Sequence, residues 1–372
     1  MNNALTSVRK AYAQARPFAG TILLGAAALT IALAGVRTIA DIIGPVFLAL
    51  VITISLHPIR IWLEQHRFPE WAASVVLLLA AYLVLFLLSL ALIVSIAQLA
   101  ELLPQYTDQL TAVVTNAGNT LKSLGVQQEQ INAVVNAIDP GQLVALVGTV
   151  LSSTLAVLSN VFFLIVLLFF MAFDTDSTRR SVASLGEQMP DVAAALASFA
   201  RGARNYMGVT TGFGFIVAVL DGVALAIMGV PGAFVWAVLA FVTNFIPNIG
   251  FIIGVIPPAI IALLDGGPGL MIAVIVTYSV INFLIQSVIQ PRVVGDAVGL
   301  TPTFTFMSLV FWAWLIGPLG ALLAVPLTLL TRALLIETNP RLGWALPLIA
   351  GKAEPTEKPE QPQKEAAGTT SK

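Results

Sequence analysis

The chain contains no cysteine and only two histidines, and few of its 372 residues are charged. Without cysteine there are no disulfide bonds, thiolate nucleophiles or thiolate metal ligands. The sequence also lacks a P-loop and an HExxH motif. A formal net charge of -1 gives no broad basic field for nucleic acid. We therefore predict that the protein is not an enzyme and has no cofactor, no metal site and no nucleic-acid partner.

Apolar residues dominate what is present. Hydrophobic residues make up 58% of the chain and charged residues 10%, against about 45–50% and about 25% in ordinary soluble domains. Long uncharged runs in lipid must be helices, because lipid offers no water to satisfy an unpaired backbone. The composition predicts an all-α membrane protein with about eight hydrophobic segments, whose main partner is the lipid bilayer.

The first half, residues 17–205, is predicted to form a scaffold of four spans. Basic residues gather in 1–16 and in 174–205, which we predict to be cytoplasmic by the positive-inside rule. Residues 101–142 contain a single basic residue, Lys122, and are predicted to lie outside as an amphipathic segment. The four spans are 17–36, 38–59, 71–100 and 144–173.

The second half, residues 206–335, is predicted to be the transport unit. It contains two apolar blocks, 233–264 and 303–334. A continuous helix of either length would reach about 48 Å, well beyond the ~30 Å hydrocarbon core, so each block is better described as two half-length helices. The blocks match at a constant offset of 70. The matched pairs are Gly229 and Gly299, Phe234 and Phe304, Leu239 and Leu309, Phe241 and Phe311, Ile246 and Ile316, Gly250 and Gly320, and Val255 and Val325.

Each block can be combined with the span before it into a repeat of one span plus one re-entrant hairpin. A unit with one net crossing leaves the next unit upside down, which is the inverted-repeat plan of many secondary transporters. Breaks at Pro247 and Pro318 would then free backbone groups inside the membrane. The alternative is eight plain spans in which the same prolines are kinks. Both versions place the C-terminus in the cytoplasm, and residues 353–372 are predicted to be a disordered tail.

Several polar residues lie within these apolar segments. Asp221 lies near the middle of the fifth segment, where it serves proton or cation coupling or else is a neutral, hydrogen-bonded residue at a helix break. Asn282, Gln286 and Gln290 recur every four residues and share one helix face. Such a stripe either lines a pathway or joins helices by hydrogen bonds.

Two further sets of residues flank the predicted hairpin tips. Asn244 and Asn248 lie on either side of Pro247, where their amides could contact a polar solute. Trp312 and Trp314 flank the second tip, as an apolar wall of the pathway or as interfacial anchors.

Five stretches of the chain together resemble one family. They are NFIPNIGFIIGVIPPAIIALL, FLIQSVIQPRVVGDAVGLTP, FWAWLIGPLGALLAVPLTLL, GPVFLALVITISLHPIRIWL and ELLPQY. Over residues 17–335 the chain resembles the autoinducer-2 exporter family of bacterial membrane proteins. The resemblance implies a homo-oligomeric inner-membrane protein that exports autoinducer-2 or other small solutes, and some relatives are assigned as sodium/proton antiporters. It marks Asn244, Pro247, Asn248, Gly250, Gln290, Pro291, Gly295, Pro318 and Gly320 without assigning a ligand to any of them.

Three hypotheses about function follow. The first is a secondary exporter of a small polar solute such as autoinducer-2, which works by alternating access as the transport unit moves against the scaffold. The second is a sodium/proton antiporter with Asp221 as its coupling acid. The third is a membrane scaffold that docks a partner through residues 101–142.

Overall fold

The computed structural model describes residues 2–123, 161–247, 249–290 and 299–339, and within these ranges the chain forms helices and short turns with no strand. The helices are α1 Asn2–Thr38, α2 Ala40–Gln65, α3 Glu70–Leu102 with a 3₁₀ turn Leu103–Tyr106, α4 Thr107–Ser123, α5 Val161–Phe173, α6 Thr175–Gln188, α7 Pro190–Ile227, α8 Ala233–Thr243, α9 Gly250–Asn282 with a π-helix Phe283–Ile289, α10 Pro302–Ile316, α11 Pro318–Leu322, and α12 Ala324–Arg332 with a π-helix Ala333–Glu337.

Five of these stretches are long and apolar enough to cross a bilayer, which confirms an all-α, multi-pass membrane protein. They are Gly20–Thr38, Ala40–Gln65, Glu70–Tyr106, Pro190–Ile227 and Gly250–Ile289. Two further apolar helices, α8 and α10, are too short to cross alone, and α5 is described only from Val161 onward. The predicted total of eight segments stays a prediction, because residues 144–160 of the fourth lie outside the described residues. So do residues 124–142 of the predicted outer segment and the tail 353–372.

The first-half helices pack through a buried cluster of alanines and leucines. Ala49 of α2 and Ala81 of α3 are buried together with Leu168 of α5. The hydroxyl of Tyr82 on α3 donates to the backbone oxygen of Ile165 on α5 at 2.9 Å. These contacts join α2, α3 and α5 into one unit.

Helix α7 runs through the predicted domain boundary at residue 205 without a break. Its N-terminal half carries Arg201 and Arg204, and its C-terminal half carries Asp221. The predicted cytoplasmic segment and the fifth apolar segment are therefore parts of one helix.

The block 233–264, here called the first hairpin, folds back on itself. A Cβ added to Gly250 would overlap the carbonyl of Thr243, and one added to Gly254 would lie 3.8 Å from the Cα of Ala240. In a straight helix, residues 14 apart would be about 21 Å apart. Helices α8 and α9 are therefore antiparallel neighbours, not parts of a kinked rod.

Helix α9 is itself broken at Gly267, close to where the sequence predicts that the first hairpin ends and the next span begins. Gly267 has φ 76° and ψ -172°, a conformation open essentially to glycine alone. Pro268 follows and begins the second arm, 268–282. The first arm, 250–266, belongs to the hairpin.

The block 303–334, here called the second hairpin, also folds back. Its break is at Gly317, which has φ 79° and ψ -152° and precedes Pro318. A Cβ added to Gly320 would overlap the carbonyl of Trp312. The indole nitrogen of Trp312 donates to the hydroxyl of Thr328 at 3.0 Å, so α10 and α12 are side by side.

Two of the glycine pairs matched at an offset of 70 share their local geometry. Gly229 and Gly299 both have positive φ, 75° and 59°. Gly250 and Gly320 each lie against a backbone carbonyl of the preceding helix. In both hairpins, glycine is the residue that allows the returning arm to approach the first.

The two hairpins have their ends at different positions along α7. The first hairpin begins beside Gly222, where the Cβ of Ala237 lies 2.8 Å from the position of an added Cβ. The second hairpin ends beside Gly202, where Leu329 lies 3.2 Å from such a Cβ. Twenty residues of helix separate these two glycines, which is about 30 Å.

Candidate functional site

Asp221 is the center of the candidate site. Its exposed fraction is 0%, and neither carboxylate oxygen has a partner at hydrogen-bond geometry among the described residues, although the side-chain amide of Asn282 lies close to the carboxyl group. The next residue, Gly222, allows Ala237 of α8 to approach the helix closely. The carboxyl group is therefore covered by the first hairpin. Burial of a carboxyl group without partners is costly, and such groups in membrane proteins mark functional sites by default.

A cavity of about 10 Å³ adjoins this carboxyl group. Its walls come from α7, α8 and both arms of α9. The lining residues are Val217, Asp221, Ala240, Thr243, Asn244, Phe251, Gly254, Tyr278 and Asn282. The buried hydroxyl of Tyr278 also has no partner among the described residues. A space of this size is at the lower limit for one water molecule. In this state the site has room for a proton on the carboxyl group or for one small ion.

A chain of side-chain amides extends from the cavity toward the tip of the first hairpin. The side-chain nitrogen of Gln286 donates to the amide oxygens of Asn244 and Asn282, both at 2.9 Å. Asn282 donates to the backbone oxygen of Tyr278 at 2.9 Å, and Asn244 donates to that of Thr210 at 3.1 Å. These bonds tie the hairpin tip to α7 on one side and to the second arm of α9 on the other.

Gln286 lies in the π-helix Phe283–Ile289, which continues the second arm of α9. Widened turns of this kind occur frequently at functional sites. Within the predicted polar stripe, a hydrogen bond from Gln286 to Asn282 joins two of the three residues. For Gln290, the part of the chain that the structure describes shows no side-chain hydrogen bond.

The first-hairpin tip also contacts the middle of α7. A Cβ added to Gly214 would lie 2.5 Å from the side-chain nitrogen of Asn244. The hydroxyl of Tyr206 donates to the backbone oxygen of Phe245 at 3.4 Å. Pro247 lies in this tip, and its carbonyl accepts from the backbone nitrogen of Ile249 at 2.7 Å. Gly250 begins the returning helix.

The structure does not bring all the predicted site residues together. Asp221, Asn244, Asn282 and Gln286 form the site just described. Trp312, Pro318 and Gly320 belong to the second hairpin and do not line the cavity. Asn248, Pro291 and Gly295 lie outside the described residues. Trp314 packs under the guanidinium of Arg37, whose central carbon is 5.1 Å from the ring centroid.

Sequence reasoning missed Thr243, Gly254 and Tyr278, which complete the cavity. Two of them carry a signal that was available. Tyr278 precedes Asn282 by four residues and so shares its helix face, and Gly254 follows Gly250 by the same interval. Tyr278 could therefore have been included in the predicted stripe of Asn282, Gln286 and Gln290.

Asp221 is the only carboxylate among the described residues that line this cavity. Among the described residues, no group of three or more His, Cys, Asp and Glu side chains could hold a metal ion. One carboxylate with hydroxyl and amide oxygens is a set of hard oxygen donors, which suits a proton or an alkali cation better than a transition metal.

The chain matches known proteins over most of its length. The sequence model of the AI-2E family transporters matches residues 23–339. The AI-2 transport protein TqsA of Escherichia coli (strain K12) is 30% identical over 317 residues, which cover 85% of this chain and 91% of the relative. A Haemophilus influenzae protein with the provisional designation of transport protein is 34% identical over 328 residues, 86% of this chain and 92% of the relative.

Proposed function

The chain belongs to the AI-2E transporter family and is a multi-pass membrane transporter, and we propose that it is a secondary transporter that exports a small polar solute such as autoinducer-2. The relative TqsA is named as an AI-2 transport protein. The observation that carries the proposal is the carboxyl group of Asp221, which is fully buried against a folded-back helix pair and adjoins a small cavity. Buried polar groups at interrupted helices are typical of transport sites.

The size of the cavity supports transport by alternating access. Sites for small organic molecules usually measure about 300–1,000 Å³, whereas the space beside Asp221 is about 10 Å³. On this proposal, the structure corresponds to a state that is closed around the site. A solute enters when the first hairpin separates from α7 and from the second arm of α9. This movement breaks or exchanges the hydrogen bonds that the side-chain amide of Gln286 donates.

The placement of the hairpins supports an inverted repeat of span plus re-entrant hairpin. Their ends lie beside Gly222 and Gly202, about one hydrocarbon thickness apart along α7. By the positive-inside rule, the half of α7 with Arg201 and Arg204 faces the cytoplasm of a bacterial inner membrane. The ends of the first hairpin then lie toward the outside and those of the second toward the cytoplasm. Both chain termini are cytoplasmic.

Replacement of Asp221 by asparagine tests the site. We expect Asp221→Asn to lower efflux of labelled autoinducer-2 from loaded proteoliposomes at least about ten-fold, because the variant keeps the shape and loses the ionisable group. The protein itself should fold normally, since the change removes a buried carboxyl without partners. Asp191→Asn, an exposed change in the first turn of the same helix, is the matched control. Equal efflux from Asp221→Asn and wild-type vesicles would exclude Asp221 from the mechanism.

The one-water size of the cavity favours a second candidate, a cation/proton antiporter in which Asp221 binds a proton and a cation alternately. A pH-sensitive dye inside vesicles should respond to an imposed sodium gradient, and Asp221→Asn should abolish the response. Sodium-driven dye changes without autoinducer-2 efflux would select the antiporter over the exporter. A response that survives in Asp221→Asn would contradict the antiporter hypothesis for this site.

A further inference from the structure

The turn that follows α3 contacts both ends of the first hairpin. The hydroxyl of Tyr106 donates to a carboxylate oxygen of Asp265 at 2.8 Å. Asp265 lies two residues before the break at Gly267, where the hairpin ends. Leu102, one turn before Tyr106, lies 3.4 Å from the position of a Cβ on Gly232. Gly232 is the N-cap of α8, where the hairpin begins. These four residues, Leu102, Tyr106, Gly232 and Asp265, are called the base clamp below.

The base clamp is a built contact and not a chance approach of surface side chains. Tyr106 is only 8% exposed, and it packs in one buried cluster with Leu225, Val230 and Trp236. Leu102 and Leu99 pack against the same cluster. The bond joins residues 159 positions apart. It therefore connects α3, which packs within the scaffold, to the hairpin that covers Asp221.

The hydrogen bond between Tyr106 and Asp265 has a carboxylate as its acceptor. Asp221 and Asp265 are the only two charged residues between positions 206 and 290. A hydrogen bond from a neutral hydroxyl to a carboxylate is stronger than one between two neutral groups. The only acid of the hairpin base is thus bound by a residue from the scaffold, while the other acid of the unit lies in the transport site.

We propose that Tyr106 and Asp265 form a latch that holds the first hairpin closed against the scaffold and opens each time the hairpin moves. This inference rests on the proposed alternating-access function. Tyr106 is a positioning residue, since it does not line the cavity beside Asp221. Loss of the latch shifts the protein toward the state in which the hairpin base has left α3.

A single introduced cysteine can report this opening, because the natural chain has none. Val235 of α8 is 4% exposed, belongs to the same buried cluster as Tyr106 and does not line the cavity. In purified Val235→Cys protein, we expect Tyr106→Phe to raise the rate of maleimide labelling about ten-fold, as loss of one hydrogen bond to a charged group implies. Asp265→Ala should have the same effect, and the double variant should add nothing further.

Tyr82→Phe is the matched control. Tyr82 lies on α3, which leads into the turn of Tyr106, and the hydrogen bond from its hydroxyl to Ile165 stays within the scaffold. The labelling rate of the Val235→Cys/Tyr82→Phe protein should equal that of the Val235→Cys protein. Asp265→Asn keeps an acceptor and should give an intermediate rate, which separates the latch from a general loss of folding. Equal rates in Tyr106→Phe and Tyr82→Phe would overturn the proposal.

A cross-link tests whether opening is required for transport. In a Tyr106→Cys/Asp265→Cys variant, a short, cleavable thiol cross-linker should block efflux of labelled autoinducer-2 from proteoliposomes, and cleavage should restore it. Undiminished efflux from the cross-linked protein would show that the hairpin base never leaves α3 and would overturn the latch. The labelling experiment needs no substrate, so a failure of autoinducer-2 transport would be distinguishable from a failure of the latch.

Discussion

The two hairpins have the same backbone plan and different linings. In each, a glycine lies against a carbonyl of the preceding helix, at Gly250 and at Gly320. The first hairpin carries Thr243 and Asn244 into a cavity shared with Asp221. The second carries Leu315, Ile316 and Leu323 into an apolar cluster. The two hairpins thus share a backbone feature and differ in the side chains that they bury.

Their connections to the rest of the protein differ in the same way. Polar bonds from Asn244 and Gln286 tie the first tip to its neighbours. The second hairpin contacts α2 by apolar packing, since Leu319 lies 3.1 Å from the position of a Cβ on Gly44. Hydrogen bonds can be exchanged for bonds to a solute or to water, whereas apolar packing has no such substitute. We therefore expect the first hairpin to handle the solute and the second to act as a wall.

The largest effects should come from the shared backbone feature. Gly250→Ala and Gly320→Ala each place a Cβ against a backbone carbonyl, of Thr243 and of Trp312. Because backbone cannot move as cheaply as a side chain, each change should lower the free energy of unfolding by about 3 kcal/mol. Thermal unfolding of the purified protein in detergent measures the loss.

Gly212→Ala is the control for this pair, since a Cβ there meets nothing within 4 Å. In a helix interior it should be neutral or stabilising by about 0.5–1 kcal/mol. Similar losses in the two hairpin variants would support the equivalence of the hairpins. If one variant proved as stable as Gly212→Ala, the two turns would not be structural counterparts.

Much of this arrangement follows from patterns along the chain. The excess length of the two blocks and their internal glycines and prolines predicted the breaks, and the structure places helix ends at Thr243 and Ile316. The match between Gly250 and Gly320 corresponds to a shared close approach. Asp221 was singled out because an acid in a long apolar segment is expensive, and that argument needs no knowledge of its neighbours.

Contacts between distant segments could not be predicted in this way. Periodicity shows which residues share a helix face, and it does not show which face of another helix lies opposite. The bond between Tyr106 and Asp265 and the approach of Tyr278 to Asp221 depend on tertiary packing. For the same reason the sequence did not reveal that the indole nitrogen of Trp312 donates to the hydroxyl of Thr328 within its own hairpin.

The smaller effects should separate the two linings. Gln286→Leu removes two hydrogen bonds and leaves the amide oxygens of Asn244 and Asn282 without that donor. We expect it to cost about 1–3 kcal/mol of stability. It should also lower efflux of labelled autoinducer-2, because the hairpin tip loses its link to α9. Ser279→Ala, which removes only a local bond to Ile275 on the same helix, is the control.

Trp312→Phe is the counterpart in the second hairpin. It removes the single bond to Thr328, whose hydroxyl still donates to the carbonyl of Ala324 at 2.7 Å. Because no buried group loses its last partner, the cost should be about 1 kcal/mol, and efflux should stay near the wild-type value. A loss of efflux in Trp312→Phe as large as in Gln286→Leu would contradict the division of labour, since an apolar wall needs the ring and not its nitrogen.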